Sequence, residues 1–291
     1  MSAPLRRVAV TGLGAFSPGG TGVAALQQWA ASHSSQAGLV PDFNPAAFIR
    51  NPRRLRTMHR TFQLVTAAAV MAMEAAGMPA EGGVQAMGVA PERAGLATAL
   101  ADISPVTPDL LRVLAAVAPH MGCGPDGWAR FAELGARELH PFRRLALLAN
   151  MAVGHTSLLL GLQGPGFSFT SGAGAGMQAL SECWWTVAQG RADLMLAQSA
   201  SSPEQSYTST QWPEISGAVV LEDWQRAHRR GATVLAEVSY SSAALPPAPT
   251  GFEPAPELIA ALLRLAGGGC IELAELARTA VAAPALLEAH R

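Results

Sequence analysis

The chain has 291 residues with a formal net charge of −1, and 49% of its residues are hydrophobic against 14% charged. This balance is typical of a globular protein with a large core, and it excludes the strongly basic surface that nucleic acid binding requires. All 20 basic residues are arginine, so the composition also excludes any mechanism that needs a lysine amine.

The cysteines and the N-terminal residues favour a reducing compartment. Cys123, Cys183 and Cys270 are far apart and show no Cys-x-x-Cys or paired-histidine spacing, so we predict free thiols and no metal site. The first seven residues lack the apolar core of a signal peptide, and no apolar run is long enough to span a bilayer. We therefore expect a cytoplasmic protein without cofactor or metal, with neither nucleic acid nor a membrane as partner.

The first 140 residues alternate between strand and helix patterns. Residues 7–14 predict a buried strand that ends in a glycine turn, and a helix follows over 23–31. An Ala-rich helix is predicted over 61–76, and a second strand over 93–100. Residues 104–140 are typical of a helical insertion with loops.

The second half continues this alternation. Its predicted elements, in chain order, are a helix over 145–160, a strand over 167–170, a helix over 177–189, a strand over 193–197, and an antiparallel pair over 217–222 and 233–238 joined by a helical turn. Residues 245–256 form a proline-rich linker, which separates a domain over 1–244 from a short C-terminal remnant over 257–291. Strands that alternate with helices predict an α/β fold with a mostly parallel sheet.

Six short blocks occur in the order that they have in the N-terminal half of β-ketoacyl synthases of the thiolase superfamily, and the chain resembles that family over roughly residues 6–240. The blocks are residues 6–14 with Ser17-Pro18, then 56–60, 150–155, 161–165, 190–197 and 217–222. The resemblance implies a thiolase-like layered fold. It also implies a mostly complete N-terminal half and a C-terminal half truncated to a short segment.

The resemblance places an alanine where the family carries its nucleophile. The family's cysteine lies at a sharp turn between a strand and a helix, and the matching turn here is Thr-Ser-Gly-Ala-Gly-Ala-Gly over residues 170–176. Aligning the final glycine puts Ala173 at the nucleophile position. Alanine has no lone pair to attack a thioester. The two histidines of the family's second half have no counterpart either, since His290 is the only histidine after Ser241. We predict that this chain alone does not catalyse condensation.

Among members of the family, the chain is similar to the chain-length factors of type II polyketide synthases. This resemblance implies a heterodimer with a cysteine-containing β-ketoacyl synthase, a transient acyl carrier protein partner, and a role in shaping the acyl tunnel. It also implies a setting in polyketide or fatty-acid synthesis, with polyene or aryl polyene products as one possibility. The residues that the resemblance assigns to the tunnel or the interface are Leu145, Leu147, Leu148, Ile103, Phe167 and Phe169. The alternative is a stand-alone acyl-binding or structural scaffold.

Four other features have competing interpretations. Ser171 or Cys183 would serve a hydrolase, but the Gly-x-Ser-x-Gly elbow is absent around Ser171. His155 is expected to serve packing rather than base catalysis. The Gly12-x-Gly14 pair lacks the third glycine of a dinucleotide-binding turn. The run Arg53, Arg54, Arg56 and Arg60 is either a solvated loop or a contact for an acidic carrier protein.

The shortened second half also carries a prediction about packing. The missing half would leave a sheet and a helix layer uncovered, and a large exposed apolar patch implies a partner. One of the two rings of Trp184-Trp185 is expected in the core and the other at an interface.

Overall fold

A computed structural model describes most of the first 240 residues and a short C-terminal piece. The described residues are 4–32, 38–79, 82–100, 108–120, 125–139, 148–170, 172, 174–202, 213–239, 261, 262 and 264–272. The predicted linker over 245–256 lies outside them, so the proposed domain boundaries stay a prediction.

The described strands form one mixed sheet. They are β1 (Val8–Ser17), β2 (Gly20–Thr21), β3 (Ala94–Leu100), β4 (Gly166–Phe169), β5 (Leu194–Ser201), β6 (Ile215–Asp223), β7 (Ala236–Ser239) and β8 (Gly269–Glu272). Their order is β4-β3-β5-β6-β1-β7-β8, with β2 beside β1. β3 runs parallel to β4 and β5, and β7 runs parallel to β8, whereas β6 and β7 are both antiparallel to β1. The prediction of a mostly parallel sheet is therefore wrong.

The helices flank this sheet. The described ones are α1 (Val23–Ala31), α2 (Pro52–Leu55), α3 (Arg60–Ala75), α4 (Pro108–Val117), α5 (Pro125–Glu138), α6 (Asn150–Leu160), α7 (Ala175–Ala188) and α8 (Trp224–Arg229). The predicted helices over 23–31, 61–76 and 177–189 are confirmed to within two residues. The helix predicted over 145–160 begins only at Asn150. No described helix is long and apolar enough to cross a membrane.

A hydrophobic core lies on each face of the sheet. One core contains side chains of α1 and α7, and the other contains side chains of α3 and α6. β1 is buried along its whole length between them, as expected for a strand covered on both faces. The α/β prediction with helix layers on the sheet is confirmed.

Two glycines of β1 allow the close approach of α3. A Cβ atom at Gly12 would lie 2.0 Å from the carbonyl oxygen of Ala72, and one at Gly14 would lie 2.2 Å from that of Ala68. The prediction that this strand ends in a glycine turn is wrong, because the strand continues to Ser17. These glycines serve helix–sheet packing, which leaves no turn for a dinucleotide.

β6 and β7 do not pair with each other, contrary to the prediction of an antiparallel pair. Val8 of β1 faces Asp223 on one side and Val238 on the other, so β1 lies between the two strands. α8 carries the chain across the end of β1. Its position is fixed by the fully buried Glu222, which accepts hydrogen bonds from Thr11 (2.6 Å), Arg226 (3.3 Å) and Arg230 (3.0 Å).

Candidate functional site

The strand–turn–helix predicted from the glycine-rich segment is present. β4 pairs in parallel with β3, and after Thr170 the chain turns through Gly172 and Gly174 into α7. The two glycines have φ values of 75° and 97°, which only glycine adopts readily. The amide of Ala175 donates to the carbonyl of Gly172 at 3.1 Å. Ser171 and Ala173 themselves lie outside the described residues.

The first turn of α7 lies deep in the protein. Ala175, Gly176 and Met177 are buried, and no side chain caps the helix. A helix N-terminus carries a partial positive charge that favours a nearby anion or thiolate. The segment 170–176 offers hydroxyl groups from Thr170 and Ser171, but it contains no cysteine, histidine or carboxylate. By sequence, this helix end therefore has no thiol to activate.

The described cysteines lie away from this turn. Cys183 is fully buried two turns further along α7, and burial raises the pKa of its thiol. Burial and a raised thiol pKa both disfavour Cys183 as the nucleophile of a hydrolase. Cys270 is exposed on β8, at the opposite end of the sheet from β4, and Cys123 lies outside the described residues.

Two of the predicted tunnel or interface residues lie together on β4. Phe167 and Phe169 occupy one face of the strand, half-buried, with their rings stacked at 6.4 Å and 22°. Both pack against the core that contains α7. Leu148 is 50% exposed just before α6. Leu145, Leu147 and Ile103 fall outside the described residues, so the assignment of a tunnel stays a prediction.

The C-terminal segment contributes to the core on the α7 face of the sheet. Ala261, Leu262, Leu265 and Ile271 belong to the same hydrophobic core as α7. The chain itself therefore supplies part of the cover. The described large apolar side chains that are exposed lie elsewhere: they are Leu5, Leu39, Leu111, Leu114, Trp128, Leu148 and Leu158.

The tryptophan pair on α7 has one ring in the core. Trp184 is 2% exposed, and its indole nitrogen donates to the carbonyl of Val238 at 2.7 Å. Trp185 is half-buried and meets Trp184 edge-on at 5.1 Å. The predicted core role of one ring is confirmed, and the interface role of the other stays a prediction.

The four arginines of the predicted basic run lie in three different environments. Arg53 and Arg56 are exposed, whereas Arg54 is partly buried. Arg60 points into the protein and donates to both carboxylate oxygens of Glu214, at 2.7 Å and 2.8 Å. Arg60 is therefore not part of a basic surface, because its charge is already paired.

Sequence analysis missed the network around Glu214. This fully buried carboxylate also accepts from the hydroxyl of Ser202 at 2.7 Å and from the amide of Val40 at 2.8 Å. It thereby joins the segment at Val40 to the end of β5 and the start of β6. The sequence did contain one signal: Glu214 directly precedes the apolar run that starts at Ile215. A carboxylate in that position is carried into the core together with the run.

His155 is buried, with 8% of its surface exposed, as expected for a packing residue. Its ring lies 6.1 Å from that of Phe62, and the ring of Phe62 lies 3.7 Å from that of His59 at an interplanar angle of 37°. Burial lowers the pKa of both imidazoles; the value for His59 falls to about 4. His59 lies in the block 56–60 that carries the family resemblance, but sequence analysis assigned it no role of its own.

The geometry agrees with comparisons to known proteins. Residues 28–232 match the family model of the β-ketoacyl synthase N-terminal domain, so the chain belongs to the β-ketoacyl synthase family. It is 24% identical over 279 residues to 3-oxoacyl-[acyl-carrier-protein] synthase 2 of Vibrio harveyi, and this match covers 80% of the present chain. The chain spans less than two-thirds of the length of such curated relatives, 61% in this case.

Solved structures share the fold. One is a chain of a type II PKS ketosynthase bound to the hexaketide and in complex with its acyl-carrier protein; it has a TM-score of 0.65 at 19% identity, covering 98% of this chain and 92% of that one. Another is the ishigamide ketosynthase/chain length factor, with a TM-score of 0.57 at 21% identity, covering 80% of this chain and 62% of that one. The thiolase-like fold predicted from the sequence is confirmed.

Proposed function

We propose that this chain is a non-catalytic subunit, similar to a chain-length factor, of a cytoplasmic type II polyketide or fatty-acid synthase. It pairs with a cysteine-bearing β-ketoacyl-ACP synthase and shapes the acyl tunnel of that partner. The family alone is established by the sequence match; the loss of catalysis and the pairing are the proposal.

The observation that carries the proposal is that the chain has the family's strand–turn–helix unit but no cysteine thiol in its turn. The β4–turn–α7 unit keeps its glycines and its buried helix start. The turn over 170–176 contains no cysteine, and the nearest one along α7, Cys183, is buried, which raises the pKa of its thiol. A scaffold that keeps this geometry after losing its nucleophile is expected to act through shape and binding rather than through chemistry.

The position of β4 supports pairing with a partner synthase. In the described part of the sheet, β4 is an edge strand whose neighbour is β3, and its residues Gly166 and Ser168 are exposed. An edge strand with free amide and carbonyl groups is a template for another chain. We infer that the partner synthase pairs along β4, so that Phe167 and Phe169 lie at the interface.

The tunnel assignment is tested by adding bulk at Leu148. In a pair reconstituted with a cysteine-containing synthase and acyl carrier protein, Leu148→Trp should shift products to shorter chains, because a larger ring closes the tunnel earlier. The matched control is Leu158→Trp, since Leu158 is 70% exposed near the other end of α6. Mass spectrometry of carrier-bound products reads the outcome. Equal product lengths in both variants would contradict the tunnel role.

Catalytic loss has a separate test. This chain alone, supplied with acyl and malonyl carrier proteins, should yield no condensed product, and Ala173→Cys should not restore any, because the family's two histidines are also missing from this sequence. Condensation by the unmodified chain would contradict the proposal directly.

A second candidate function is a stand-alone acyl-binding or structural scaffold. The observation in its favour is that Ala261, Leu262, Leu265 and Ile271 cover the α7 side of the sheet. These residues shield part of that core without a partner. This candidate predicts no effect of the chain on elongation by any synthase.

A further inference from the structure

Two adjoining clefts lie beside α8. Their volumes are about 480 Å³ and about 470 Å³, and Arg6, Asp223 and Arg229 line both of them. The second cleft is also lined by Asp193, which directly precedes β5. β3, β4 and β5 run parallel to one another, and the turn before α7 follows the end of β4. The clefts therefore lie where these strands begin, away from that turn.

Arginine dominates the charged lining of the combined space. The first cleft adds Arg7 to the shared residues, and the second adds Arg226 and Arg230. The charged lining residues are thus five arginines and two aspartates: Arg6, Arg7, Arg226, Arg229, Arg230, Asp193 and Asp223. The two carboxylates decide whether this space is cationic.

Both aspartates are already engaged by donors of the protein. Arg93 donates to the two carboxylate oxygens of Asp193, at 2.7 Å and 3.2 Å, and Arg6 adds a bond of 3.1 Å. The hydrogen bonds from Arg93 hold the pKa of Asp193 below its usual range. Asp223 accepts from the backbone N–H of Arg226 at 2.9 Å and from Arg6 at 3.5 Å. Neither carboxylate is left to neutralise a further cation.

The arginines keep an excess of positive charge after every ion pair is counted. Arg226 and Arg230 share the single buried carboxylate of Glu222, at 3.3 Å and 3.0 Å. Arg7 pairs with Glu237 at 2.6 Å. Within the described part of the chain, the lining charges and their ion-pair partners are six arginines and four carboxylates, which leaves two positive charges over: Arg6, Arg7, Arg93, Arg226, Arg229, Arg230, Asp193, Glu222, Asp223 and Glu237.

Arg229 presents its charge to both clefts. It is exposed at the end of α8, and its guanidinium makes no ion pair or hydrogen bond with another described residue. The side chain of Arg6 is 42% exposed beside it. The planar fork of a guanidinium matches the oxygen atoms of a phosphate group. A metal ion would be repelled by these arginines, and the described residues contain no group of three metal-ligating side chains.

We propose that the two clefts form one binding site for a small polyvalent oxyanion, a diphosphate or a small phosphate ester. Arg229 and Arg6 donate to the ligand from the boundary between the clefts. Arg226 and Arg230, which Glu222 holds in place, add positive potential. A single carboxylate carries only half of the excess charge and binds more weakly. The site is independent of the proposed pairing function.

The first test is isothermal titration calorimetry with sodium diphosphate, at an ionic strength held constant with sodium chloride. The unmodified protein should show saturable binding, and Arg229→Gln should weaken it about tenfold, because a charge-assisted hydrogen bond is lost. The matched control is Arg137→Gln, which removes an exposed arginine from α5. Acetate should bind more weakly than diphosphate. Equal diphosphate affinities in the two variants, or no saturable binding to the unmodified protein, would overturn the proposal.

The second test needs no variant. Backbone amide NMR signals of the unmodified protein are followed as sodium diphosphate is added. The signals of residues 4–7 and of α8 should shift in a saturable manner, whereas those of α2, which carries the exposed Arg53, should not. Shifts confined to α2, or spread evenly over exposed arginines, would overturn the proposal as well.

Discussion

At the scale of single residues, the buried charges of this chain show what a local pattern can and cannot reveal. The run from Arg53 to Arg60 has the appearance of one basic surface, yet Arg60 pairs with Glu214, which is 154 positions away. A pairing over that distance leaves no local signature. The assignment of Ala173 to the nucleophile position depends on aligning Gly176 with the final glycine of the family's turn, and it stays a prediction.

The buried His155 and the half-buried His59 make stability depend on pH. Both have lowered pKa values in the folded protein, so the unfolded chain binds more protons as the pH falls. The contribution of His59 is complete above an unfolded pKa of about 6.5 and is lost as the pH falls toward its folded pKa of about 4. Urea unfolding in chloride buffers should therefore show a falling free energy of unfolding across that range.

The histidine origin of this slope is checked by substitution. His59→Gln should flatten the decline between about pH 6 and pH 4.5, because glutamine does not titrate. His228→Gln, which removes an exposed imidazole, serves as the control for changing a surface residue. A decline that is identical in the unmodified protein and in His59→Gln would show that other groups cause it.

At the scale of elements, helices were more predictable than strand pairing. The bounds of α1 and the end of α3 follow from apolar spacing and from glycine at the helix ends, which are local features. The separation of β6 from β7 by β1 depends on contacts between distant parts of the chain. The sequence contains two neighbouring strand patterns there and nothing that states which strand lies between them.

The close contact between β1 and α3 predicts that adding one methyl group there strongly lowers the free energy of unfolding. Gly14→Ala should lower the free energy of unfolding by about 3 kcal/mol, because its Cβ would overlap the backbone of Ala68. The control is Gly154→Ala on α6, where a Cβ meets no atom within 4 Å and alanine favours the helix. Urea denaturation reports both values. Equal stabilities of the two variants would contradict the close packing described here.

At the scale of the whole molecule, the fold was predictable and the contribution of the C-terminal segment to the core was not. The ordered blocks between residues 6 and 240 indicated a ketosynthase-like half, and the family match and the sheet bear this out. The C-terminal segment has no motif of its own, so the place of Leu262 and Leu265 in the core that contains α7 could not be anticipated. The chain itself therefore covers part of this core.

The pairing claim therefore depends on the β4 edge and on the missing thiol, and native mass spectrometry tests it most directly. The chain is co-expressed with a cysteine-containing β-ketoacyl synthase, and the intact assembly is weighed. A one-to-one heterodimer is the predicted result. A monomer or homodimer of this chain, beside a synthase that dimerises without it, would contradict the account and favour the stand-alone scaffold.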